Sequence, residues 1–193
     1  MPWEVIAEQV GRLSANGARV LAVASGIGSG LRLAGLIALA DPPRSDSAAL
    51  IAELRSRGMR VLLVTGDGEA TAQAIAAKVG ITGEVAPPGT LHKDLDPDAA
   101  ARFAVFARVF PQDKFFLVQA LQKAGHVVGM TGDGVNDAPA LKQADVGIAV
   151  ASATDVAKAA ASLVLTRRGL GEIVAAIEGS PAFSRGCGPT YPP

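Results

Sequence analysis

The sequence MTGDGVNDAP at residues 130–139 directly follows the apolar run from His126 to Met130. An apolar run that ends in Gly-Asp-Gly, with a second acid four residues later, predicts a strand, a tight loop and then a helix. This order delivers the carboxylates of Asp133 and Asp137 to the carboxyl end of a strand, where open parallel sheets bind their ligands. Carboxylate oxygens beside a glycine-rich backbone suit Mg²⁺ together with a phosphate. The alternative is an Asp-Gly turn followed by a helix cap.

Strands and helices alternate along most of the chain, which predicts an α/β fold with parallel strands and right-handed crossovers. We predict strands at residues 20–25, 31–39, 59–65, 105–110, 127–131, 146–150 and 163–166. We predict helices at residues 3–14, 45–57, 69–79, 112–123, 138–144, 154–161 and 170–177, with a polar loop at 86–98 and a short helix after it.

The composition is typical of a folded domain, and the chain has no net charge. The chain has 193 residues, of which 49% are apolar and 4% aromatic, and 18 basic residues balance 18 acidic ones. We therefore expect one main α/β domain with a buried sheet and no nucleic-acid partner. The single cysteine, Cys187, cannot form an internal disulfide, which favours a reducing compartment. The most apolar window, Leu31 to Ala40, is too short to cross a bilayer, so we expect the chain as given to be soluble and cytoplasmic.

A second cluster of interest is Thr65-Gly66-Asp67, which ends the predicted strand at 59–65 and precedes a helix. Backbone N–H groups at the start of that helix, together with the Thr65 hydroxyl, are suited to bind phosphate oxygens. The alternative for Asp67 is a helix cap without any ligand.

Two further motifs place cations where a nucleotide would need them. Lys114 lies in the first turn of a predicted helix, where a positive charge opposes the helix dipole unless a phosphate offsets it. Its alternative is a solvated surface lysine. The motif Asp41-Pro42-Pro43-Arg44 is a stiff extended joint that presents an arginine. Arg44 either contacts a nucleotide phosphate or neutralises Asp41 or Asp46.

Taken together and in this order, the four motifs resemble the second half of the cytoplasmic catalytic region of P-type ATPases. These ion pumps are built on the haloacid dehalogenase fold, and the resemblance extends over residues 17–180. The string ADVGIAV at 144–150, followed by ATDVAK at 153–158, is most similar to the proton-pump branch of plasma membranes and bacteria. The resemblance implies a Rossmann-like parallel sheet of the haloacid dehalogenase fold.

The resemblance also implies roles for the residues of the 130–139 motif and for the lysine. Asp133 and Asp137 match the metal site, with Asp133 as the acid that ligates Mg²⁺ and Asp137 beside it. Asn136 matches a group on the phosphate side of the same site. Lys114 matches the lysine that balances charge on the transferred phosphoryl group.

The other two motifs match positions that contact the nucleotide. Thr65 and Asp67 match the phosphate-contacting motif, and Gly66 allows close approach of the backbone. Asp41 and Arg44 match the hinge that touches ATP between the two cytoplasmic domains. The implied cofactors are therefore Mg²⁺ and ATP.

The main departure from the family is the phosphorylated aspartate, which in P-type ATPases lies in an Asp-Lys-Thr-Gly-Thr motif. This string does not occur in the chain. The nearest substitute, residues 94–98, follows a polar loop instead of the buried strand that an aspartate nucleophile requires. Because the strand that carries the nucleophile is normally the middle one, we expect an incomplete sheet with an exposed groove and reduced stability.

The expected organisation is that of a truncated piece of a pump. We assign residues 1–40 to a remnant of the nucleotide-binding domain, 41–180 to the phosphorylation domain and 181–193 to a disordered, aberrant tail. The expected partners are ATP or phosphate and the remainder of the pump, including its membrane and actuator portions. The parent family is embedded in a membrane with this part in the cytoplasm, and the fragment alone is not expected to hydrolyse ATP. The alternative is a free-standing haloacid dehalogenase-like module that binds phosphate or acts as a phosphatase.

Overall fold

The computed structural model describes residues 3–15, 17–167 and 171–178. The helices are α1 (Trp3–Ala15), α2 (Ser47–Ser56), α3 (Glu69–Val79), α4 (Pro97–Arg102), α5 (Pro111–Lys123), α6 (Ala138–Gln143), α7 (Asp155–Ala160) and α8 (Gly171–Glu178). The strands are β1 (Ala18–Ser25), β2 (Arg32–Ala40), β3 (Leu63–Val64), β4 (Glu84–Val85), β5 (Phe103–Phe106), β6 (Gly129–Gly132), β7 (Val146–Ala149) and β8 (Leu163–Val164). This alternation confirms the predicted α/β fold class.

The strands after residue 60 form two parallel sheets of three strands each. Their orders are β3-β5-β4 and β6-β7-β8, and every pairing within them is parallel. The central strands β5 and β7 are largely buried, whereas β3 and β6 pair on one side and are partly exposed. Strands β3 and β6 are therefore edge strands of two separate sheets within the described residues.

The effect of pairing on one side only is clearest at β3. The run Val61 to Val64 is apolar throughout, which is typical of a parallel strand buried on both faces. The predicted buried strand at 59–65 is nevertheless wrong in extent and burial, since only Leu63–Val64 pairs and the whole run is half-buried. The reason is that β5 supplies hydrogen-bonding partners on one side of β3 only.

Helices cover the two sheets jointly. Leu117 and Leu121 of α5 belong to a buried cluster against which both Val64 of β3 and Val128, the residue before β6, pack. A second cluster around Ile148 and Ile173 joins β7 to α8 and also includes Leu54 of α2. Apolar burial of this kind stabilises by roughly 25 cal/mol per Å² of apolar surface, so these helices hold the sheets together without a ladder between them.

Most strand boundaries differ from the sequence-based predictions by a few residues, and the largest differences are in the two parallel sheets. Strand β5 runs from Phe103 to Phe106 instead of 105–110, because Arg108 adopts a positive φ of 54° that ends the extended run. Strand β6 begins at Gly129, after Val127, whose side chain is 58% exposed. Strand β4 was not predicted, since two residues are too few for an alternating pattern to register.

Strands β1 and β2 form an antiparallel hairpin apart from the parallel sheets. The hairpin is anchored to α3, where the Thr71 hydroxyl donates a buried hydrogen bond of 3.2 Å to the Ala18 carbonyl. Many of its apolar side chains are exposed, including Leu21 and Ile37. The assignment of residues 1–40 to a remnant of a nucleotide-binding domain stays a prediction.

The predicted disordered tail at 181–193, with Cys187, lies outside the described residues, as does residue 170, where the last predicted helix was expected to begin. Within the described ranges, helix lengths and hydropathies leave no candidate for a bilayer-spanning helix.

Candidate functional site

The loop after β6 is organised around Asp137, which is buried with only 5% of its surface exposed. Its Oδ2 accepts hydrogen bonds from the backbone N–H groups of Asp133, at 3.2 Å, and Gly134, at 3.1 Å. Its Oδ1 accepts a 2.6 Å hydrogen bond from the ammonium group of Lys114 at the start of α5. Both carboxylate oxygens are therefore engaged, and the loop is closed by its own second acid.

These contacts decide the charge state of Asp137. Burial alone would raise the pKa of its carboxyl group. The hydrogen bond from Lys114, the amide of Gly134, the charge of Lys114 and the amide of Asp133 together outweigh burial, and the pKa lies below its ordinary value. Asp137 is thus held as a carboxylate, and it holds Lys114 in place.

Gly132 is required for this arrangement on steric grounds. A Cβ atom at Gly132 would lie 2.6 Å from Cβ and 2.9 Å from Cγ of Asp137, closer than real side-chain contacts allow. A Cβ at Gly134 would meet the same side chain at an ordinary 3.6 Å. The first glycine of the Gly-Asp-Gly sequence therefore makes room for the buried acid.

The remaining polar residues of the loop stay accessible. Asp133 and Asn136 are both exposed, while the Asp133 carbonyl accepts a 2.9 Å hydrogen bond from the Thr154 amide. Thr154 caps α7 through its side chain, so the loop is fixed against the end of the neighbouring strand and helix. A carboxylate on a fixed backbone, open to solvent, is available to a cation or a ligand.

The Thr65-Gly66-Asp67 segment lies at the carboxyl end of β3. The Thr65 hydroxyl donates to Oδ2 of Asp67 at 3.0 Å and accepts from the Asp67 amide at 3.1 Å. Gly68, and not Asp67, is the N-cap residue of α3, so the alternative helix-cap reading of Asp67 is wrong. Oδ1 of Asp67 instead lies 3.9 Å from Nε of Arg19 on β1. This ion pair could not be predicted, because the two residues are far apart in the sequence.

The loop between β5 and α5 connects this segment to Lys114. The Arg108 amide donates to the Asp67 carbonyl at 2.8 Å, and the Val109 amide donates to the Thr65 carbonyl at 3.0 Å. Helix α5 then begins at Pro111, one turn before Lys114. The site network thus consists of two groups of contacts, one around Thr65 and Asp67 and one around Lys114 and Asp137, which the β5–α5 loop links along the chain. That both groups serve one common site stays a prediction.

Arg108 was not recognised from the sequence, although its backbone is part of this network. Its φ of 54° is unusual for a residue with a side chain and costs roughly 1–2 kcal/mol. The two hydrogen bonds that its loop makes to Thr65 and Asp67 offset this cost. No sequence signal marks the conformation, because glycine and asparagine are the residues usually expected there.

The structure does not bring the Asp41 and Arg44 motif into the network. Arg44 forms an exposed ion pair with Asp46, with 3.5 Å between Nε and Oδ1, as the second alternative for this arginine predicts. Asp41 is exposed. Among the described residues, neither has a hydrogen bond or ion pair to Thr65, Lys114 or the 133–137 loop.

The donor set permits one kind of metal site. No group of three or more His, Cys, Asp or Glu side chains in the described part of the chain is arranged to hold a metal ion. Asp133 and Asp137 are two neighbouring acids, which fits Mg²⁺, a cation that is typically bound through one or two carboxylates with waters and substrate phosphates. The residues therefore fit Mg²⁺ bound jointly with a phosphate and do not fit a metal held by the protein alone.

The comparisons with known proteins agree with this geometry. A model of the haloacid dehalogenase-like hydrolases matches residues 4–145. The chain is 44% identical to the probable cation-transporting ATPase F of Mycobacterium tuberculosis, over 86% of this chain and 21% of that protein. It is 44% identical to calcium-transporting ATPase 1 of Schizosaccharomyces pombe, over 86% of this chain and 20% of that protein. It is 41% identical to a plasma membrane ATPase of Dunaliella bioculata, over 86% of this chain and 16% of that protein.

A solved structure is also similar. The crystal structure of a zinc-transporting PIB-type ATPase in its E2·Pi state superimposes with a TM-score of 0.67 at 31% identity, over 95% of this chain and 26% of that chain. The chain spans about a fifth of the length of the curated relatives named above. The cations that these names specify are calcium and zinc, so the predicted closeness to the proton-pump branch is not supported above the other branches. The chain belongs to the haloacid dehalogenase-like hydrolase family, and within it the resemblance to cation-transporting P-type ATPases is confirmed.

Proposed function

We propose that this chain is the part of a larger cation-transporting ATPase that binds Mg²⁺ and phosphate during phosphoryl transfer. The observation that carries the proposal is the Lys114–Asp137 ion pair, with its 2.6 Å contact and the two amides on the other carboxylate oxygen. This pair fixes a lysine and an exposed acid, Asp133, at the carboxyl end of a parallel sheet. Phosphoryl transfer requires this combination of positioning and positive charge more than covalent chemistry from the protein.

The residues divide the work as follows. The backbone at Gly66 binds phosphate oxygens, and Gly66 is exposed enough to allow it. The Thr65 hydroxyl joins it by exchanging its hydrogen bond to Oδ2 of Asp67 for one to the phosphate, since a hydroxyl has a single proton to donate. Lys114 donates one N–H to Asp137 and retains two for a phosphoryl oxygen, with its side chain 20% exposed. When bound, Mg²⁺ neutralises charge on the transferred group.

The acids and the amide of the 133–137 loop have separate tasks. Asp133 supplies a metal ligand, and Asn136 lies on the phosphate side of the site. Both oxygens of Asp137 are taken by Lys114 and the loop amides, so this acid completes the metal site mainly by fixing the loop that presents Asp133.

The proposal requires a nucleophile from elsewhere in the parent protein. In this account β3 and β6, which are both edge strands, adjoin a further strand of the parent protein, and that strand delivers an aspartate beside Thr65 and Asp133. The chain alone is therefore inactive towards ATP in this account, and the membrane and actuator portions belong to the remainder of the pump. Asp41 and Arg44 form the hinge towards the nucleotide, and the resemblance of residues 144–158 favours a proton as the cation. In this account the parent is embedded in a membrane, with this part in the cytoplasm.

The alternative, a phosphatase that uses the acids at 94–98, is less consistent with the geometry. Oδ1 of Asp96 accepts a 3.2 Å hydrogen bond from the Asp98 amide and caps α4. The Asp94 amide contacts its neighbour His92 at 3.3 Å. These acids stabilise a local turn and lie in a loop instead of at the end of a buried strand, so they lack the positioning that an aspartate nucleophile needs.

The proposal predicts that Asp133→Asn weakens the binding of Mg²⁺ measured in the presence of inorganic phosphate at least tenfold, because a neutral amide oxygen binds a hard cation more weakly than a carboxylate does. Isothermal titration on the full chain provides the measurement. Asp155→Asn is the matched control, since it makes the same charge change on the exposed first turn of α7. Equal affinities for the wild type and Asp133→Asn would contradict the assignment.

A further inference from the structure

A cavity of about 210 Å³ lies at the amino-terminal edge of the β3-β5-β4 sheet, opposite the candidate site. Three arginines, Arg55, Arg60 and Arg102, line it. Its floor contains Val61, two residues before β3, and Ala104, near the start of β5. Since the phosphoryl-transfer network occupies the carboxyl ends of the same strands, this cavity is a separate feature.

Two of the guanidinium groups are held in place by backbone carbonyls. Arg55 donates to the Gly80 carbonyl at 2.7 Å and to the Thr82 hydroxyl at 3.3 Å. Arg60 donates to the carbonyl of Phe103 at 2.8 Å and also to that of Ala101. These bonds restrict the rotation of both side chains, so a ligand that binds there loses less side-chain entropy.

Arg55 and Arg60 cap the carboxyl ends of α3 and α4, but this role leaves some of their N–H donors free to bind a ligand. A guanidinium group has five N–H donors, and the contacts above occupy two on each of Arg55 and Arg60. Among the described residues Arg102 makes no capping hydrogen bond: its guanidinium lies 5.9 Å from the centre of the Phe103 ring and 3.9 Å from a carboxylate oxygen of Glu84. The lining residues carry three positive charges, and Glu84, next to the cavity, offsets one of them.

We propose that this cavity binds a phosphomonoester, as a regulatory or anchoring ligand distinct from the phosphate of the transfer site. Planar guanidinium groups match phosphate oxygens in pairs, and three of them suit the several oxygens of a dianionic phosphate. A water occupies about 30 Å³ in the liquid, so the cavity admits a phosphate together with part of its organic carrier. The same chemistry is available from a soluble sugar or inositol phosphate and from the headgroup of a phosphoinositide lipid.

The deciding experiment titrates inositol 1,4,5-trisphosphate into the full chain without Mg²⁺. Arg102→Gln, which removes a charge but no capping hydrogen bond, is expected to weaken binding at least fivefold. Glu84→Gln removes the competing carboxylate and is expected to strengthen binding about threefold, a change of sign that loss of folding does not imitate. Both effects should shrink as salt is added, because these groups are exposed.

Two controls separate this site from others. Arg32→Gln makes the same charge change on exposed strand β2 and should leave the affinity unchanged, and so should Lys142→Met on the exposed face of α6. Co-sedimentation with vesicles that contain phosphatidylinositol 4,5-bisphosphate distinguishes the sources: tighter binding to vesicles identifies a lipid, and equal binding a soluble phosphate. Absence of saturable binding, or an affinity that neither Arg102→Gln nor Glu84→Gln alters, would overturn the proposal.

Discussion

Gly147→Ala is expected to destabilise the chain by about 3 kcal/mol or more, enough to prevent stable folding of a domain with two small, three-stranded sheets. A Cβ atom at Gly147 would lie 2.2 Å from the carbonyl oxygen of Leu141 and 2.9 Å from its carbonyl carbon. Both atoms are backbone, so no rotamer change relieves the clash. Gly147 lies in β7, the buried central strand of its sheet, and Leu141 is fully buried on α6. Helix α6 must therefore move, and with it Asp137, which directly precedes the helix.

Gly129→Ala is the matched control for this prediction. Gly129 lies in the adjacent strand β6, and a Cβ atom there would be 4.0 Å from its nearest neighbour, the Val146 carbonyl oxygen. We expect this variant to stay within about 1 kcal/mol of the wild type, with a small gain from reduced freedom of the unfolded chain. Urea unfolding followed by circular dichroism measures both variants. Equal stability of the two would show that α6 does not rest on β7 as described.

Lys114→Met is expected to lower the free energy of unfolding by about 2 kcal/mol near neutral pH. Removal of one partner of a buried ion pair costs about 3–5 kcal/mol, and we expect less here because the Lys114 side chain is 20% exposed. The cost arises mainly from Asp137, which is left charged and desolvated with only two amides as partners. Lys142→Met is the control, since Lys142 is an exposed lysine on the neighbouring helix α6 and should change stability by less than about 0.5 kcal/mol.

The same variant has a defined pH dependence. Because the folded-state pKa of Asp137 lies below its ordinary value of 3.8, the stability that this carboxylate contributes is present above pH 3.8 and is lost as the pH falls through the folded-state pKa. In Lys114→Met the opposing effect of burial is less compensated, so acidification relieves the unpaired charge. The difference between wild type and variant should therefore shrink from about pH 7 to about pH 3. A difference that stays constant over this range would mean that Asp137 does not depend on Lys114 for its charge.

The parts of the site that could be predicted from the sequence are those that local chemistry determines. The Gly-Asp-Gly sequence predicts a tight turn after β6. Thr65 and Asp67 directly follow the apolar run that contains β3, which predicts that they lie at the end of a strand. What could not be predicted are the partners brought from far along the chain. Lys114 was expected to neutralise a phosphate, whereas in the structure it pairs with Asp137, 23 positions away.

The fold shows the same division between local and long-range effects. Burial of the run at 61–64 follows from its composition only if strands pair on both sides, and that condition depends on the whole topology. The arginine cavity is equally invisible in sequence, because Arg55 and Arg102 meet only after β4 and β5 pair. Each of these arginines, considered alone, is an ordinary exposed residue.

The central claim is that the chain contains the Mg²⁺- and phosphate-binding half of a phosphoryl-transfer site and lacks its nucleophile. The most direct test incubates the folded chain with γ-labelled ATP and Mg²⁺, quenches with acid and measures covalently bound label. The account predicts no label on a chain whose Mg²⁺ binding still depends on Asp133. Label that hydroxylamine releases would contradict it, because an aspartyl-phosphate would then have formed within these 193 residues.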